Sequence, residues 1–131
     1  MCFDMFLSFS LKRVIFCDIS KTDIFGSIHQ DVHNFDIIIA SLVFDVVAVD
    51  RSMFKDALNH VLQYLKPGGG LILIQGSLGE YQYSVGSAIF PAMNADEPMI
   101  KSIFQECQLE LLQWELCVKL TTHYYALLRK P

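Results

Sequence analysis

Polar side chains stand at the ends of three short apolar runs, in positions where they could bind a ligand. Asp18 follows one run, and Ser41 and Gln75 close two others; the runs read RVIFC, FDIIIAS and LILIQ. Runs of this length and composition are typical of buried strands. Because ligands of open α/β sheets bind beyond the carboxyl ends of the strands, these three residues predict a site at one edge of a sheet.

Other patterns that carry chemistry are not found in the sequence, which shows no Ser-His-Asp, paired-carboxylate or zinc-binding signature. His29 and His33 have a spacing that would suit a metal on one helix face, yet no third ligand accompanies them, and we predict no metal site. The cysteines form no CxxC pair and lie in or beside apolar runs: Cys2, Cys17, Cys107 and Cys117. They indicate reduced thiols and a cytoplasmic protein.

Length and composition favour one compact domain, since 131 residues with 53% hydrophobic content can bury a core of their own. The net charge of −4 and the scattered basic residues argue against nucleic-acid binding. Residues 1–11 contain an apolar stretch of only about seven residues with positive charge behind it, which fits neither a signal peptide nor a membrane span. We therefore treat 1–11 as a leader of uncertain structure or an extra strand, assign 12–131 to the domain, and expect no membrane association.

Two helices are predicted from capping residues and apolar spacing. After Asp50 the apolar residues recur at helical spacing until Leu65, and the sequence KPGGG at 66–70 ends the helix. Asp96 caps a second helix whose apolar face comprises Ile100, Ile103, Phe104 and Cys107. Residues 21–34 lack steady periodicity and predict a loop with one helical turn.

The remaining segments complete an α/β pattern. Residues 76–95, rich in Gly, Ser and Tyr, predict a long connection that serves as a functional loop or lid. Gln113–Val118 and Tyr124–Arg129 predict two strands in an antiparallel hairpin, with Trp114 in the core. The order of strands and helices predicts an α/β sheet with helices on its faces.

Taken together, four segments carry a resemblance to a known family: CDI at 17–19, FDIIIASLVFD at 35–45, FKDALNHVLQYLKPGGGLILI at 54–74, and YSVG at 83–86. The chain resembles the nicotinamide, phenylethanolamine, indolethylamine and thioether N-methyltransferases from about residue 12 to residue 130. The resemblance implies the C-terminal part of the Rossmann-like sheet of a class I methyltransferase, with about five strands and the last one antiparallel. It also implies S-adenosylmethionine as cofactor and a small amine or pyridine-type nitrogen as methyl acceptor.

The resemblance also assigns site residues. Asp18 matches the acid that accepts a hydrogen bond from the adenine amino group, the Ile19 amide matches a donor to the adenine ring, and Ser41 matches a hydroxyl residue near the methionine part of the cofactor. Gln75 and Tyr83 match substrate-binding positions, with Gln75 standing where nicotinamide-type members carry an aspartate. Direct methyl displacement requires alignment and exclusion of water, and no side-chain nucleophile.

Each of these residues also has an ordinary structural interpretation. Asp18 is typical of a turn residue that bonds its own backbone, and the hydroxyl of Ser41 is a common strand ending. Gln75 and Tyr83 are compatible with polar groups that simply face a loop.

Part of the family's cofactor site has no counterpart in the sequence, because no GxG precedes Pro67 and the glycines at 68–70 leave a helix instead of opening one. Two hypotheses follow. The chain contributes to S-adenosylmethionine-dependent methyl transfer, impaired when it acts alone. Alternatively, it is a non-catalytic remnant that binds another protein or itself through an exposed sheet edge.

Overall fold

A mixed sheet organises the computed structural model, which describes residues 13–29 and 31–131; the leader 1–11 lies outside these residues. The strands are, in chain order, β1 Ile37–Ser41, β2 Gly70–Leu78, β3 Gln82–Val85, β4 Ala88–Pro91, β5 Glu110–Val118 and β6 Thr122–Lys130. The helices are α1 Val43–Val47, α2 Arg51–Leu62 and α3 Glu97–Glu106, with a 3-10 turn at Ser27–His29.

The four-stranded main sheet has the order β1-β2-β6-β5. β1 runs parallel to β2, whereas β6 lies antiparallel between β2 and β5. The last strand is therefore the antiparallel one, as predicted, and the hairpin of β5 and β6 is confirmed. β1 forms the edge of the sheet and pairs on one side only within the described residues.

Capping and apolar spacing place the two longer helices where they were predicted. The Asp50 carboxylate accepts a hydrogen bond from the Met53 amide at 2.8 Å and begins α2, and Asp96 does the same for Met99 at the start of α3. α2 buries five apolar side chains against the sheet: Phe54, Ala57, Leu58, Val61 and Leu62. The predicted helical turn in the 21–34 loop is also present, at Ser27–His29.

The hydrophobic core lies on one face of the main sheet. Ile72 and Ile74 of β2 alternate with residues of the opposite face, and Tyr124 and Leu128 of β6 continue the same core, all fully buried. Trp114 is half-buried and stacks on Tyr124 with 4.9 Å between ring centroids, which confirms it as a core residue. The other face, which we call the open face (Ile37, Ile39, Leu73 and Tyr125), is exposed, with Ile39 at 70%.

Two predictions are corrected by the structure, and one short helix is an addition to them. The predicted strand over 13–17 is wrong: the segment has no regular structure and Phe16 is 88% exposed, so the main sheet has four strands instead of about five. β-branched residues form a strand only where a neighbouring strand offers a ladder, and the described residues supply none here.

The 76–95 segment is not a simple loop, because β2 extends to Leu78 and β3 and β4 form a hairpin around Gly86, whose φ is +62°. The short helix α1 was not predicted, since five residues are too few to show helical periodicity.

Among the described residues no helix has the length and apolar character needed to cross a membrane.

Candidate functional site

The end of β1 lies beside Gln75 as the sequence predicted, although β2 continues past Gln75 to Leu78. Ser41 pairs with Gln75 in the parallel ladder, and its hydroxyl donates a hydrogen bond to Gln75 Oε1 at 2.6 Å. Gln75 Nε2 in turn donates to the hydroxyl of Tyr125 on β6 at 3.4 Å. Side chains of three strands therefore form one polar row on the open face, near the carboxyl end of β1, and neighbouring side chains in the row are hydrogen-bonded to each other.

Asp18 and Ile19 lie on a separate loop that α2 fixes in place. The Asp18 amide donates to the Ile24 carbonyl at 2.8 Å and closes the loop, while His60 of α2 contacts the Ile19 carbonyl through Nδ1 at 3.0 Å. Asp18 Oδ1 accepts hydrogen bonds from the Ser20 hydroxyl at 2.6 Å and the Ser20 amide at 3.1 Å. These hydrogen bonds, of which the one from the Ser20 hydroxyl has the larger effect, hold the pKa of Asp18 below its ordinary value. The same hydrogen-bond pattern is typical of an aspartate in a turn.

Tyr83 lies in a groove between the hairpin and the end of the sheet, with a volume of about 550 Å³. Its ring stacks on Phe90 across the hairpin at 5.4 Å, which fixes the phenol at the groove wall. The polar groove lining includes Asp45, Ser77, Glu80, Tyr83 and His123. Ser41 and Gln75 do not line this groove, so of the predicted substrate-binding pair Tyr83 faces it and Gln75 does not.

Asp45 is the most constrained charged side chain of the groove. Its Oδ2 accepts a hydrogen bond from the Ser77 amide at 2.9 Å and lies 3.4 Å from the Ser77 hydroxyl, which also donates to it. Burial raises the pKa of Asp45 above its ordinary value, although the bonds from Ser77 and the nearby His123 lower it. A half-buried carboxylate with a limited set of donors can gain from a bound cation.

The turn into α1 places Asp45 in this groove. Leu42 connects β1 to α1 with a φ of +58°, in the left-handed region that a leucine rarely adopts. Its amide donates to the Gln75 carbonyl at 2.9 Å, which holds the turn against β2. Residues kept in such a conformation often accompany functional sites, where surrounding bonds stabilise the strain.

The arrangement of Ser77, His123 and Asp45 does not form a nucleophilic relay. In such a relay the histidine accepts the serine proton and the acid orients the histidine. Here the carboxylate bonds to Ser77 directly, and His123 Nε2 contacts the Thr121 hydroxyl at 2.8 Å. The groove therefore has the groups to bind a small polar molecule and lacks the geometry for acyl transfer.

The sequence analysis did not predict four of the polar residues that line the groove: Asp45, Ser77, Glu80 and His123. Asp45 had a usable signal, since it is a lone acid within the apolar stretch LVFDVVAV, and a charge in such a stretch is seldom buried without a purpose. Ser77 and His123 had none, because their proximity follows from the register that pairs β2 with β6.

Comparison with known proteins identifies the family. A model of the NNMT/PNMT/TEMT family matches residues 7–129. The chain belongs to this family. Phenylethanolamine N-methyltransferase of Mus musculus is 30% identical over 91 residues, which cover 70% of this chain and 30% of that protein. Indolethylamine N-methyltransferase of Mus musculus is 27% identical over 112 residues, covering 86% of this chain and 41% of that protein.

The chain thus spans less than half the length of these relatives. Among solved structures, an S-adenosylmethionine-dependent methyltransferase from Clostridium acetobutylicum aligns with a TM-score of 0.65 and 18% identity, over 96% of this chain and 68% of that one. A second methyltransferase, from Methanosarcina mazei, aligns with a TM-score of 0.64 and 14% identity, over 86% of this chain and 64% of that one. These similarities confirm the predicted fold class, a partial Rossmann-like methyltransferase sheet.

Proposed function

We propose that the chain supplies the acceptor side of an S-adenosylmethionine-dependent N-methyltransferase, and that the groove binds a small molecule with a basic nitrogen. The observation that carries this proposal is the convergence of Asp45, Glu80 and Tyr83 on one groove. Two carboxylates favour a cationic or hydrogen-bond-donating nitrogen, and the phenol ring offers an aromatic face for a cation or a ring. The relatives named above are N-methyltransferases of phenylethanolamine and indolethylamine, two amines that fit this description.

Methyl transfer to an acceptor in the groove would require that the acceptor is bound and oriented, and it would not require a reactive side chain. When bound, S-adenosylmethionine supplies a methyl group activated by a sulfonium charge. Asp45 and Glu80 would hold the acceptor nitrogen, and the hairpin that carries Tyr83 would limit access of water to the groove. Gln75, bonded to Ser41 and Tyr125, would act at the rim and not in the groove.

The described residues fit the cofactor only in part. The Ile19 amide has no hydrogen-bond partner within the described ranges, which is compatible with donation to an adenine ring, and Asp18 Oδ2 lies 3.9 Å from Lys21 Nζ. The Ser41 hydroxyl donates its hydrogen bond to Gln75 and is not available as a donor to the cofactor. No glycine-rich turn from a strand into a helix occurs in residues 13–29 or 31–131. We therefore infer that this chain alone binds the cofactor weakly or not at all, and that its turnover is impaired.

A calorimetric titration tests the proposal with two ligands. The full chain is titrated with 2-phenylethylamine as acceptor probe and, separately, with S-adenosylhomocysteine as cofactor probe. We expect saturable binding of the amine that weakens at least tenfold in Asp45→Asn and Glu80→Gln, with weak or undetectable heat for the cofactor probe. Absence of amine binding, or an affinity in both variants equal to that of the wild type, would refute the assignment of the groove.

A second candidate function, a non-catalytic protein-binding module, is favoured by the open face. Ile37 and Ile39 are 61% and 70% exposed on β1, whose outer edge has no partner strand among residues 13–29 and 31–131, and an unpaired edge is a template for pairing with another chain. Sedimentation of the wild type and of Ile39→Lys tests this candidate. Self-association that the lysine abolishes would support it, and a monomer in both cases would contradict self-association through this edge. The free thiols of Cys17, Cys107 and Cys117 support a reducing, cytoplasmic location for either function.

A further inference from the structure

The two edge strands of the main sheet, β1 and β5, differ in how well they are protected against pairing with a further strand. β5 carries Glu110 and Glu115 and has a shift in register near its start, and charges and bulges of this kind hinder pairing with another chain. β1 reads IIIAS, with no charge and no proline, and its pairs with β2 follow one another in register. β1 itself therefore lacks the features that keep a strand edge unpaired.

Hydrogen bonds at the two ends of β1 show which backbone groups point away from β2. The Asp36 carbonyl accepts a hydrogen bond from the Leu71 amide at 2.9 Å, and the Leu42 amide donates to the Gln75 carbonyl at 2.9 Å. Backbone groups of successive strand residues point to alternate sides, so the residues in step with Asp36 and Leu42 bond to β2. The residues whose amides and carbonyls point to the outer edge are Ile37, Ile39 and Ser41. No strand of residues 13–29 or 31–131 pairs with these groups.

We propose that β1 of a second copy of the chain pairs antiparallel with this edge, with a two-fold axis at Ile39. In this register Ile39 lies opposite Ile39 of the second copy, and Ile37 lies opposite Ser41 of the second copy. The outward amides and carbonyls of all three residues then exchange hydrogen bonds between the copies. This inference rests on the second candidate function, binding through the edge of β1, and does not depend on the groove.

The limits of β1 select this register over its neighbours. If the axis moved to Ile38, Ser41 would lie opposite Phe35 of the second copy, whose amide and carbonyl are already bonded to the Tyr64 carbonyl and the Lys66 amide. If the axis moved one residue the other way, the outer groups of β1 would lie opposite the first turn of α1. Either shift leaves outward backbone groups without a partner, which is unfavourable.

Charge and apolar surface also suit a second copy. Asp36 is exposed next to β1, and in this register it lies opposite Leu42 of the second copy, so the two acids do not face each other. On the open face Ile39 and Leu73 lie side by side near the axis, whereas Glu115 lies at the far side of the sheet. The apolar parts of the two copies therefore meet at the axis, and the charged parts lie furthest from it.

Sedimentation equilibrium of the full chain tests the pairing. We expect the wild type to form dimers, and we expect Ile39→Lys, which places two lysines face to face at the axis, to raise the dissociation constant by about tenfold or more. Val118→Lys is the matched control, because Val118 is 71% exposed but lies on β5, and it should leave the dissociation constant unchanged. A wild type that stays monomeric, or an equal effect of the two lysines, would overturn the proposal.

Disulfide trapping tests the register. In Ile39→Cys the two introduced thiols face each other with about 5.5 Å between their Cα atoms, which suits a disulfide. In Ile37→Cys the introduced thiols lie about 14 Å apart along the strands, which is too far. After mild oxidation, peptide maps should therefore show the symmetric bridge in Ile39→Cys and not in Ile37→Cys.

The outcomes separate this inference from the functions proposed above. A symmetric bridge in Ile37→Cys, or none in Ile39→Cys, would overturn the register, while dimers that Ile39→Lys dissociates would leave binding through the edge of β1 intact. Amine binding by the groove is measured in its own titration, so neither result bears on the acceptor proposal.

Discussion

Gly76 is the position where the fold should tolerate least change, because it lies against the buried ring of Tyr124. A Cβ added at Gly76 would stand 2.4 Å from Tyr124 Oη and 2.5 Å from Cζ. Non-bonded carbons normally approach to about 3.5–4.0 Å, so the overlap is on the order of 1 Å. The ring cannot move aside easily, since it is fully buried and stacks on Trp114.

The expected cost of Gly76→Ala follows from this geometry. Overpacking of a well-filled core costs about 1–3 kcal/mol, and the size of the overlap places this change near the upper end. Alanine offsets up to about 1 kcal/mol by restricting the unfolded chain, which leaves a net loss of about 2 kcal/mol. For 131 residues this corresponds to a fall in Tm of about 7 °C.

Urea unfolding followed by circular dichroism measures this loss, and a double-mutant cycle checks its cause. In the background of Tyr124→Leu, which removes the aromatic ring, the added alanine should cost nearly nothing. Stability of Gly76→Ala within about 0.5 kcal/mol of the wild type would refute the packing argument, because such a value is typical of substitutions that disturb nothing.

Other perturbations test separate parts of the structure. The pKa of Asp45 is raised in the folded protein, so its contribution to stability is present at low pH and is lost as pH rises. We therefore expect Asp45→Asn to be at least as stable as the wild type at pH 7 and to lose this advantage towards pH 4. Thermal unfolding at a series of pH values measures the difference. Asp50→Ala and Asp96→Ala should each cost about 1 kcal/mol in urea unfolding through loss of a helix cap, whereas Asp50→Asn and Asp96→Asn should cost little, and equal losses in the alanine and asparagine variants would contradict the capping role. Tyr124→Phe should raise the free energy of unfolding by about 1 kcal/mol, because it removes a buried hydroxyl that has no partner among residues 13–29 and 31–131, and a loss of stability would show that the hydroxyl is bonded.

Much of the fold was predictable because its signals are local. Asp50 and Asp96 sit beside the helices they cap, and the strand predicted at 71–75, after a proline and three glycines, lies within β2. The segment 13–17 shows the limit of such signals. Its residues favour a strand as strongly as those of β1, yet a strand also needs a neighbour, and the sequence of a segment does not say whether one is present.

The candidate site was predictable only where it coincides with strand ends. Ser41 and Gln75 were expected to meet and do so, at 2.6 Å. The groove was not expected, because it combines a short helix, a hairpin and a strand that lie far apart in sequence. A hairpin signal was available in Val85-Gly86-Ser87-Ala88, where a glycine and a serine between apolar residues suit a two-residue turn.

The groups assigned to the acceptor and those assigned to the cofactor differ in how completely this chain holds them. Asp45, Glu80 and Tyr83 line the groove from α1, the connection between β2 and β3, and the hairpin, all within residues 31–131. Asp18 and Ile19 lie instead on a loop outside the sheet, beside an edge of β1 that lacks a second neighbour in the described residues. Under the proposed function, recognition of the amine would depend on residues that are present here, whereas enclosure of the cofactor would depend on a surface next to β1. We therefore expect amine binding and cofactor binding to be separable in this chain, because the two sets of residues lie in different parts of the structure.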